Sequence, residues 1–508
     1  MAWLLAGCGE AAGPGRAAPA RLAPGATTVR VAPNPAYARR GWWWQQLWGR
    51  HYRALWATPV TAPVLRLGAA GLRVAGVGGS FQTNTLRLRA ADGSTWVLRS
   101  VDKDLGRTLG ANWPSRLVAP VLRDQTCASP PYGALVVAQL AQAAGVGHPH
   151  PRLVYWQPDT ALGPLAARFR SALYMLEERP AGPAGRSGTV VGSATMLRQL
   201  LGGTGHRLDA RAYLRARLLD LLVGDWSRRA DQWRWRTAPG SHAFAPLPRD
   251  RDQAFFRFND GWLTRAVSWL RPRYQTFGPH LRPADVRPLT VTARALDHTA
   301  LAWLPEAAFV AEADSLCRRL PDAVVAQALA AVPAEARPHL RRELLAALLA
   351  RRAALPAAAR RFYQVLQEEP VLTGTDAAER FELWPAGAGQ LRLRAWAIRP
   401  ARPDSLLGEH LYDVRRTTRL TVYGLGGNDI FELHGRLQPG FGVHLHGGAG
   451  RNQFRQAGPL PTSSLGLTVY RTPADAVQLG PDVRQRPGAG EAATLPWLAA
   501  RYRLGIGK

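Results

Sequence analysis

The stretch from Leu218 to Phe258 restricts this chain more than any other. Leu218-Leu219-Asp220-Leu221-Leu222-Val223 is the apolar end of an amphipathic helix that stops at Gly224-Asp225. A polar turn follows, Trp226-Ser227-Arg228-Arg229, then Asp231-Gln232 and a Trp233-Arg234-Trp235 strand. Beyond a polar linker, Asp250 and Asp252 precede the short apolar run Ala254-Phe255-Phe256, and Asp260 follows it. The order is helix, polar loop, strand, turn, and a carboxylate ahead of an apolar segment.

That order resembles the floor of the atypical kinases of lipid-kinase, HipA and secretory-kinase type. Their loop reads G-[DN]-x-D-R-H-x-x-[NQ], followed later by a metal-binding Asp in a D-x-G or D-x-A-F setting. Gly224, Asp225, Arg228 and Gln232 match the first pattern, and Asp252-Gln253-Ala254-Phe255 matches the second. The resemblance implies that Asp252, Gln232 and Asp250 hold Mg²⁺ on the phosphates of ATP or another nucleotide. Two positions depart from it. Ser227 stands where the catalytic Asp belongs and Arg229 where the His belongs. A serine does not take up a proton as a carboxylate does. Asp225 or Asp231 would have to replace the missing catalytic acid, so phosphotransferase activity is expected to be weak or lost.

The segment from Val64 to Asp102 reads as β-structure. Val64-Leu65-Arg66-Leu67 is a short strand, and Gly76-Val77-Gly78-Gly79-Ser80 ends a glycine-rich passage. Thr85-Leu86-Arg87-Leu88-Arg89 alternates apolar and basic side chains, Ala91-Asp92-Gly93 is a hairpin turn, and the return strand Thr95–Val101 delivers Lys103. A glycine turn between strands followed by a strand ending at a lysine suits phosphate binding: backbone amides approach closely, and the ammonium acts as a point charge. Lys103 is one of only two lysines, the other being Lys508, in a chain whose basic positions are otherwise all arginine. Gly78, Gly79, Ser80, Lys103 and, on the later strand Ser171–Pro180, Glu177 form the expected nucleotide-binding set. The helix expected to carry the partner of Lys103, Pro131–Gly145, contains no acid. Asp124, just before it, is the substitute.

Helical periodicity dominates residues 192–224 and 263–368, with arginine on the outer faces. After about residue 369 the chain becomes β-rich. Gly424-Leu425-Gly426-Gly427-Asn428-Asp429-Ile430-Phe431 and Gly447-Gly448-Ala449-Gly450-Arg451-Asn452-Gln453-Phe454 read as two copies of one turn. Both resemble the G-G-x-G-x-[DN]-x-apolar calcium turn of β-roll repeats. Two degenerate copies favour a metal-free corner of a β-sandwich or short solenoid over a calcium site.

The net charge is +29 and the chain is 46% hydrophobic, a globular composition. The charge is spread along the chain as arginine, so nucleic acid is not the expected partner. Leu5-Ala6-Gly7-Cys8 matches a bacterial lipobox, which makes Cys8 a lipidation site and implies a cell-envelope location with membrane contact through a lipid anchor. The segment before Cys8 is shorter than a signal peptide, so this reading expects a start upstream of Met1; without a lipobox the protein would be cytoplasmic. Cys127 and Cys317 show no metal or disulfide spacing. The Trp-rich segment Gly41–Arg53 reads as a short helix packed across the first lobe, with a membrane interface or ligand stacking as alternatives.

The passages GVGGSFQTNTLRL, VLRSVDKD, LYMLEERP and YGLGGNDIF, with the stretch from Asp225 to Asp252, also resemble a segment of bacterial envelope proteins that couple a metallophosphoesterase domain to an outer-membrane barrel. Neither a G-N-H-[DE] motif nor a series of barrel strands is found in this sequence. The expected architecture is α+β. A tether (1–40) precedes a bilobal kinase-like domain with a β-rich lobe (41–180) and a helical lobe (181–368). A β-rich sandwich or short solenoid (369–470) and a loosely ordered tail (471–508) follow. The expected function is an envelope-associated, nucleotide- and Mg²⁺-binding kinase-like protein acting on an unknown acceptor. The alternative is a non-catalytic envelope scaffold on the same fold.

Overall fold

The computed structural model describes residues 18–78, 84–105, 115–158, 162, 169–179, 188–387, 389–437, 442–458 and 466–488. The first lobe is a seven-stranded sheet built from β1 (Thr28–Val31), β2 (Val60–Leu65), β3 (Leu72–Gly78), β4 (Thr85–Ala90), β5 (Thr95–Ser100), β6 (Arg152–Trp156) and β7 (Ala172–Arg179), in the order β1-β2-β6-β7-β5-β4-β3. β3, β4 and β5 form an antiparallel meander, and β5 continues the sheet onto β7. The alternation read in β4 has its physical cause here: Leu86 and Leu88 are fully buried against Leu98, Trp156 and Leu176, while Arg87 and Arg89 face outward. The segment expected to be a tether up to residue 40 is structured from Thr28 on, because its Thr-Val-Arg-Val alternation pairs as an edge strand with β2.

The second lobe is helical. The helix Ala210–Val223 is its axis, buried from Leu218 to Val223, with Gly133–Ala144, Glu306–Arg319 and the long helix Arg337–Glu368 packed around it. Gly224 ends the axial helix in the left-handed conformation (φ +68°), where its missing Cβ avoids strain. Arg351, 3% exposed, donates to the carbonyls of Leu221 (2.6 Å) and Leu222 (2.8 Å), satisfying the helix end from a distant helix. A four-stranded sheet lies beside it: β8 (Thr189–Gly192), β9 (Arg207–Leu208), β10 (Trp233–Thr237) and β11 (Ala243–Pro248), in the order β8-β10-β11-β9. Trp233 and Trp235 project from the same face of β10, fully buried against Tyr213.

The third part is a two-sheet parallel solenoid. One sheet comprises β12 (Val371–Thr373), β16 (Arg419–Tyr423), β18 (Gly442–His446), β20 (Leu467–Arg471) and β22 (Arg484–Pro487). The other comprises β13 (Glu379–Pro385), β14 (Gln390–Ala397), β15 (Ser405–Asp413), β17 (Ile430–His434), β19 (Gln453–Ala457) and β21 (Ala476–Gln478). β13, β14 and β15 pair antiparallel, but from β16 onward the chain alternates between the sheets and each new strand pairs parallel with the one below it. Phe381, Phe431 and Phe454 stack between the layers, with ring centroids 5.1 and 4.7 Å apart. The two glycine-rich turns are successive coils. The Asp429 carboxylate is turned inward and accepts from the backbone N–H of Glu379 (2.9 Å), and Asn452 Oδ1 accepts from that of Asp429 (3.1 Å). Asp475 continues the ladder by accepting from Asn452 N (2.9 Å). The tail expected to begin at 471 therefore completes the solenoid through β21 and β22 before leaving the described residues. No helix among the described residues is long and apolar enough to cross a membrane.

Candidate functional site

A cleft opens between the β-rich lobe and the helical lobe. Its charged lining consists of Arg99, Lys103, Glu177 and Asp252, with Gln125, Thr126, Met175, Gln253 and Phe256 around them. Arg99 comes from β5 and points to the cleft face because Val97 and Arg99 share one side of the strand. Lys103 follows β5. Its loop is fixed by Asp102, which accepts from Tyr37 Oη (2.9 Å), Asn34 Nδ2 (3.0 Å) and Arg123 Nη1 (2.7 Å). Glu177 comes from β7, where it lies opposite Val97.

The other wall is the turn after β11. Asp250 takes a left-handed backbone (φ +58°), as does Phe255 (φ +61°), whose N–H donates to Val223 O at 2.8 Å. This ties the Asp252-Gln253-Ala254-Phe255 turn to the end of the axial helix. Lys103 Nζ contacts Asp252 Oδ2, and Arg99 Nη1 donates to Asp250 Oδ1 at 3.0 Å while lying 3.7 Å from Glu177. Burial pushes Asp252 up to about 6, with Lys103 pulling against it and Asp250 adding to the rise. Burial also acts on Asp250, but Arg99 holds its carboxyl well below the usual carboxylate range.

The structure thus brings together Lys103, Glu177, Asp250 and Asp252 of the expected set, and adds Arg99. Gly78 lies on β3 and is not among the residues that line the cleft, and Gly79, Ser80 and Cys8 lie outside the described residues. Asp225, Ser227 and Gln232 form a separate group that does not line the cleft. Asp225 is 1% exposed, accepts from Ser227 N (3.1 Å) and sits 3.5 Å from Arg228. Burial pushes its carboxyl up to about 7, against Arg228. Gln232 Nε2 lies 3.4 Å from Ser227 Oγ, and its Oε1 accepts from Arg229 N (3.1 Å). Asp231 is exposed and paired with Arg229 at 3.1 Å.

Two expectations are corrected. Asp124 does not reach Lys103. It is fully buried and held by both terminal guanidinium nitrogens of Arg53 (2.9 and 2.6 Å), by Arg40 (3.2 Å) and by Trp44 Nε1 (2.8 Å). The helix Gly133–Ala144 supplies no partner to Lys103 either. Leu135, Val136, Val137 and Leu140 make it apolar on most sides, so it packs within the helical core. The role of acidic partner to Lys103 passes to Asp252.

Beneath the loop lies a buried ionic network that the sequence reading missed. Asp220 pairs with Arg217 (3.0 Å), Arg228 (3.3 Å) and Arg251 (3.1 Å), and Arg217 also pairs with Asp297 (2.8 Å). All five residues are 6% exposed or less. Arg228, which matches the kinase loop pattern, belongs to this network and also donates to Arg249 O at 2.8 Å, fixing the turn that carries Asp250 and Asp252. On the solenoid, Glu382, Glu432 and His434 stand close enough to hold a metal ion. There, however, Arg380 balances Glu382 (3.2 Å) and Arg455 balances Glu432 (2.6 Å).

No protein-family model matches the chain, and no curated protein sequence matches it. Solved structures that resemble its fold include the following three. The Helicobacter pylori proinflammatory kinase CtkA aligns at 8% identity and a TM-score of 0.30, over 58% of this chain and 96% of CtkA. HipA of Shewanella oneidensis, from a complex with HipB and operator DNA, aligns at 10% identity and 0.28, over 57% and 67%. The Rio2 kinase of Chaetomium thermophilum, in an ADP/Mg²⁺-phosphoaspartate complex, aligns at 15% identity and 0.21, over 52% and 74%. What the cleft can do rests on its own residues.

Proposed function

We propose that this protein binds a nucleotide with Mg²⁺ in the interlobe cleft and that its phosphotransferase activity is weak or lost. The observation that carries the reading is the pairing of Lys103 with Asp252 across the cleft, with Arg99 and Asp250 beside them. The donor set fits both parts of the ligand. Asp250 and Asp252 are half-buried carboxylates, hard oxygen donors suited to Mg²⁺. Lys103 and Arg99 are cations suited to phosphate oxygens. Bound Mg²⁺ would neutralise phosphate charge; Lys103 and Arg99 would orient the phosphates, and Met175 and Phe256 would shield the site from water.

Weak or absent turnover is supported by the loop. Ser227 supplies a hydroxyl where an acid is expected, and Asp225 is buried against Arg228 rather than aimed at the cleft. The same observation favours a second reading, a non-catalytic scaffold. The lipobox-like Leu5–Cys8 supports work at the cell envelope with Cys8 lipidated, in either case. The test is a thermal-shift titration with ATP and Mg²⁺ on wild type, Lys103→Ala and Asp252→Ala. A concentration-dependent rise in wild type that both variants lose is the expected result. No rise at any nucleotide concentration would leave the scaffold reading. Labelled phosphate transfer, with Asp252→Ala as the blank, then separates binding from turnover.

A further inference from the structure

The helix Trp262–Leu270 is built inside out. Its buried positions are Thr264 and Ser268, one turn apart on one face. Both hydroxyls are used internally: Thr264 Oγ1 accepts from Gly261 N (3.1 Å), and Ser268 Oγ donates to the carbonyl of Tyr274. The exposed positions are the large apolar ones, Trp262 (60%), Trp269 (84%) and Leu270 (74%), with Leu263 and Val267 beside them. A soluble surface helix does the opposite.

This helix packs against the helix Trp42–Trp48, which exposes Trp42 (59%) and Trp43 (65%). The contact is made glycine to glycine: a Cβ on Gly261 would lie 2.4 Å from Gly49 N. Two short helices thus present four exposed tryptophans on one packed unit. Neither residues 39–53 nor 261–273 contain an acidic residue, and Arg50, Arg265 and Arg271 are exposed among the aromatic groups. The flanking Asp260 is turned inward onto His51 at 2.7 Å.

We propose that this face docks on the surface of an anionic phospholipid bilayer. Tryptophan and leucine would enter the interfacial region, and the arginines would meet the lipid phosphates. Trp, Leu and Arg on a short amphipathic unit have the composition that partitions to such an interface. The absence of carboxylates from both segments supplies the charge complementarity that a second positively charged copy of this chain would not offer. The docking is independent of any lipid anchor and of nucleotide binding.

The experiment uses the full chain carrying Cys8→Ser, so that no acyl chain contributes. Co-sedimentation is measured with vesicles of phosphatidylglycerol and phosphatidylethanolamine, and with pure phosphatidylcholine vesicles. Binding to the anionic vesicles is expected, weakened by salt, and lowered by about tenfold or more in Trp269→Ser/Leu270→Ser and in Arg265→Glu/Arg271→Glu. All four positions are exposed, and unchanged thermal melting of the variants would exclude unfolding as the cause. Failure to bind anionic vesicles, equal binding by both double variants, or concentration-dependent self-association that the Trp269→Ser/Leu270→Ser variant abolishes in the absence of lipid binding would each overturn the proposal.

Discussion

Arg99 donates from Nη1 to Asp250 Oδ1 at 3.0 Å, tying the β-rich lobe to the turn that carries Asp252. Because Arg99 also lies 3.7 Å from Glu177, one guanidinium spans two carboxylates on opposite walls of the cleft. Arg99→Lys supplies the charge without the planar fork. Both Arg99→Lys and Arg99→Ala are expected to weaken Mg²⁺-nucleotide binding by roughly tenfold or more, while basal stability falls by only ~1 kcal/mol because the pair is partly open to solvent. Titration calorimetry checks the first effect and denaturant unfolding the second. Retention of full affinity in Arg99→Lys would remove the fork from the argument.

The pH dependence of ligand binding follows from Asp252. Burial raises its carboxyl to about 6, and it must shed its proton to ligate Mg²⁺. Metal-dependent affinity should therefore be full above pH 7 and fall as pH drops through 6, approaching about tenfold per pH unit below it. Asp250 is held ionised by Arg99 and contributes no step in that window. Thermal-shift titrations at fixed Mg²⁺ from pH 5 to 8 give the profile; a flat one would mean that Asp252 is not a metal ligand.

Asp220 should behave as a structural residue although it sits in the helix leading to the loop. Its carboxylate faces Arg217, Arg228 and Arg251, each within 3.3 Å and all buried. Removing a charge from a buried network leaves cations without compensation, at a cost of about 3–5 kcal/mol. Asp220→Asn is expected to lower urea stability by that amount. A loss below ~1 kcal/mol would show that the arginines find other partners.

Lys103 and β4 were legible in the sequence for physical reasons. The alternation of Leu86 and Leu88 with arginines is a two-residue period, and a lone internal lysine stands out in a chain rich in arginine. Arg99 was invisible for the converse reason, being one arginine among many. Asp124 was misassigned because its partners, Arg40 and Arg53, lie far upstream, and nothing local announces a pairing across 84 or 71 residues. The role of Asp225 was also beyond local reading, because it is set by a network that reaches Arg251. In the solenoid the glycine-rich turns were visible, but not what they enclose.

Those turns enclose a ladder whose charge state should govern the stability of the solenoid. Asp429 is buried, and its Oδ2 finds no hydrogen-bond partner among the described residues. Gly424 is required beside it, because a Cβ there would lie 2.0 Å from that oxygen. Burial raises Asp429 to about 8 and Glu379, one rung below, to about 7. Both values exceed those of the unfolded chain, so these two carboxyls bind more protons in the fold than in the unfolded chain between about pH 4 and pH 8. Their contribution to stability then decreases as pH rises through that window, by on the order of 1 kcal/mol per pH unit, while the buried His410 and His446, pushed down to about 4, act in the opposite sense below about pH 6.5. Asp429→Asn keeps the acceptor for Glu379 N and removes one titrating group, so it should flatten the slope and stabilise the protein at pH 8. Urea unfolding of wild type and Asp429→Asn at pH 5 and pH 8 tests this. A stability difference between wild type and Asp429→Asn that stays constant between those pH values would mean that the Asp429 carboxyl is ionised in the fold, and it would then need a cation to balance it.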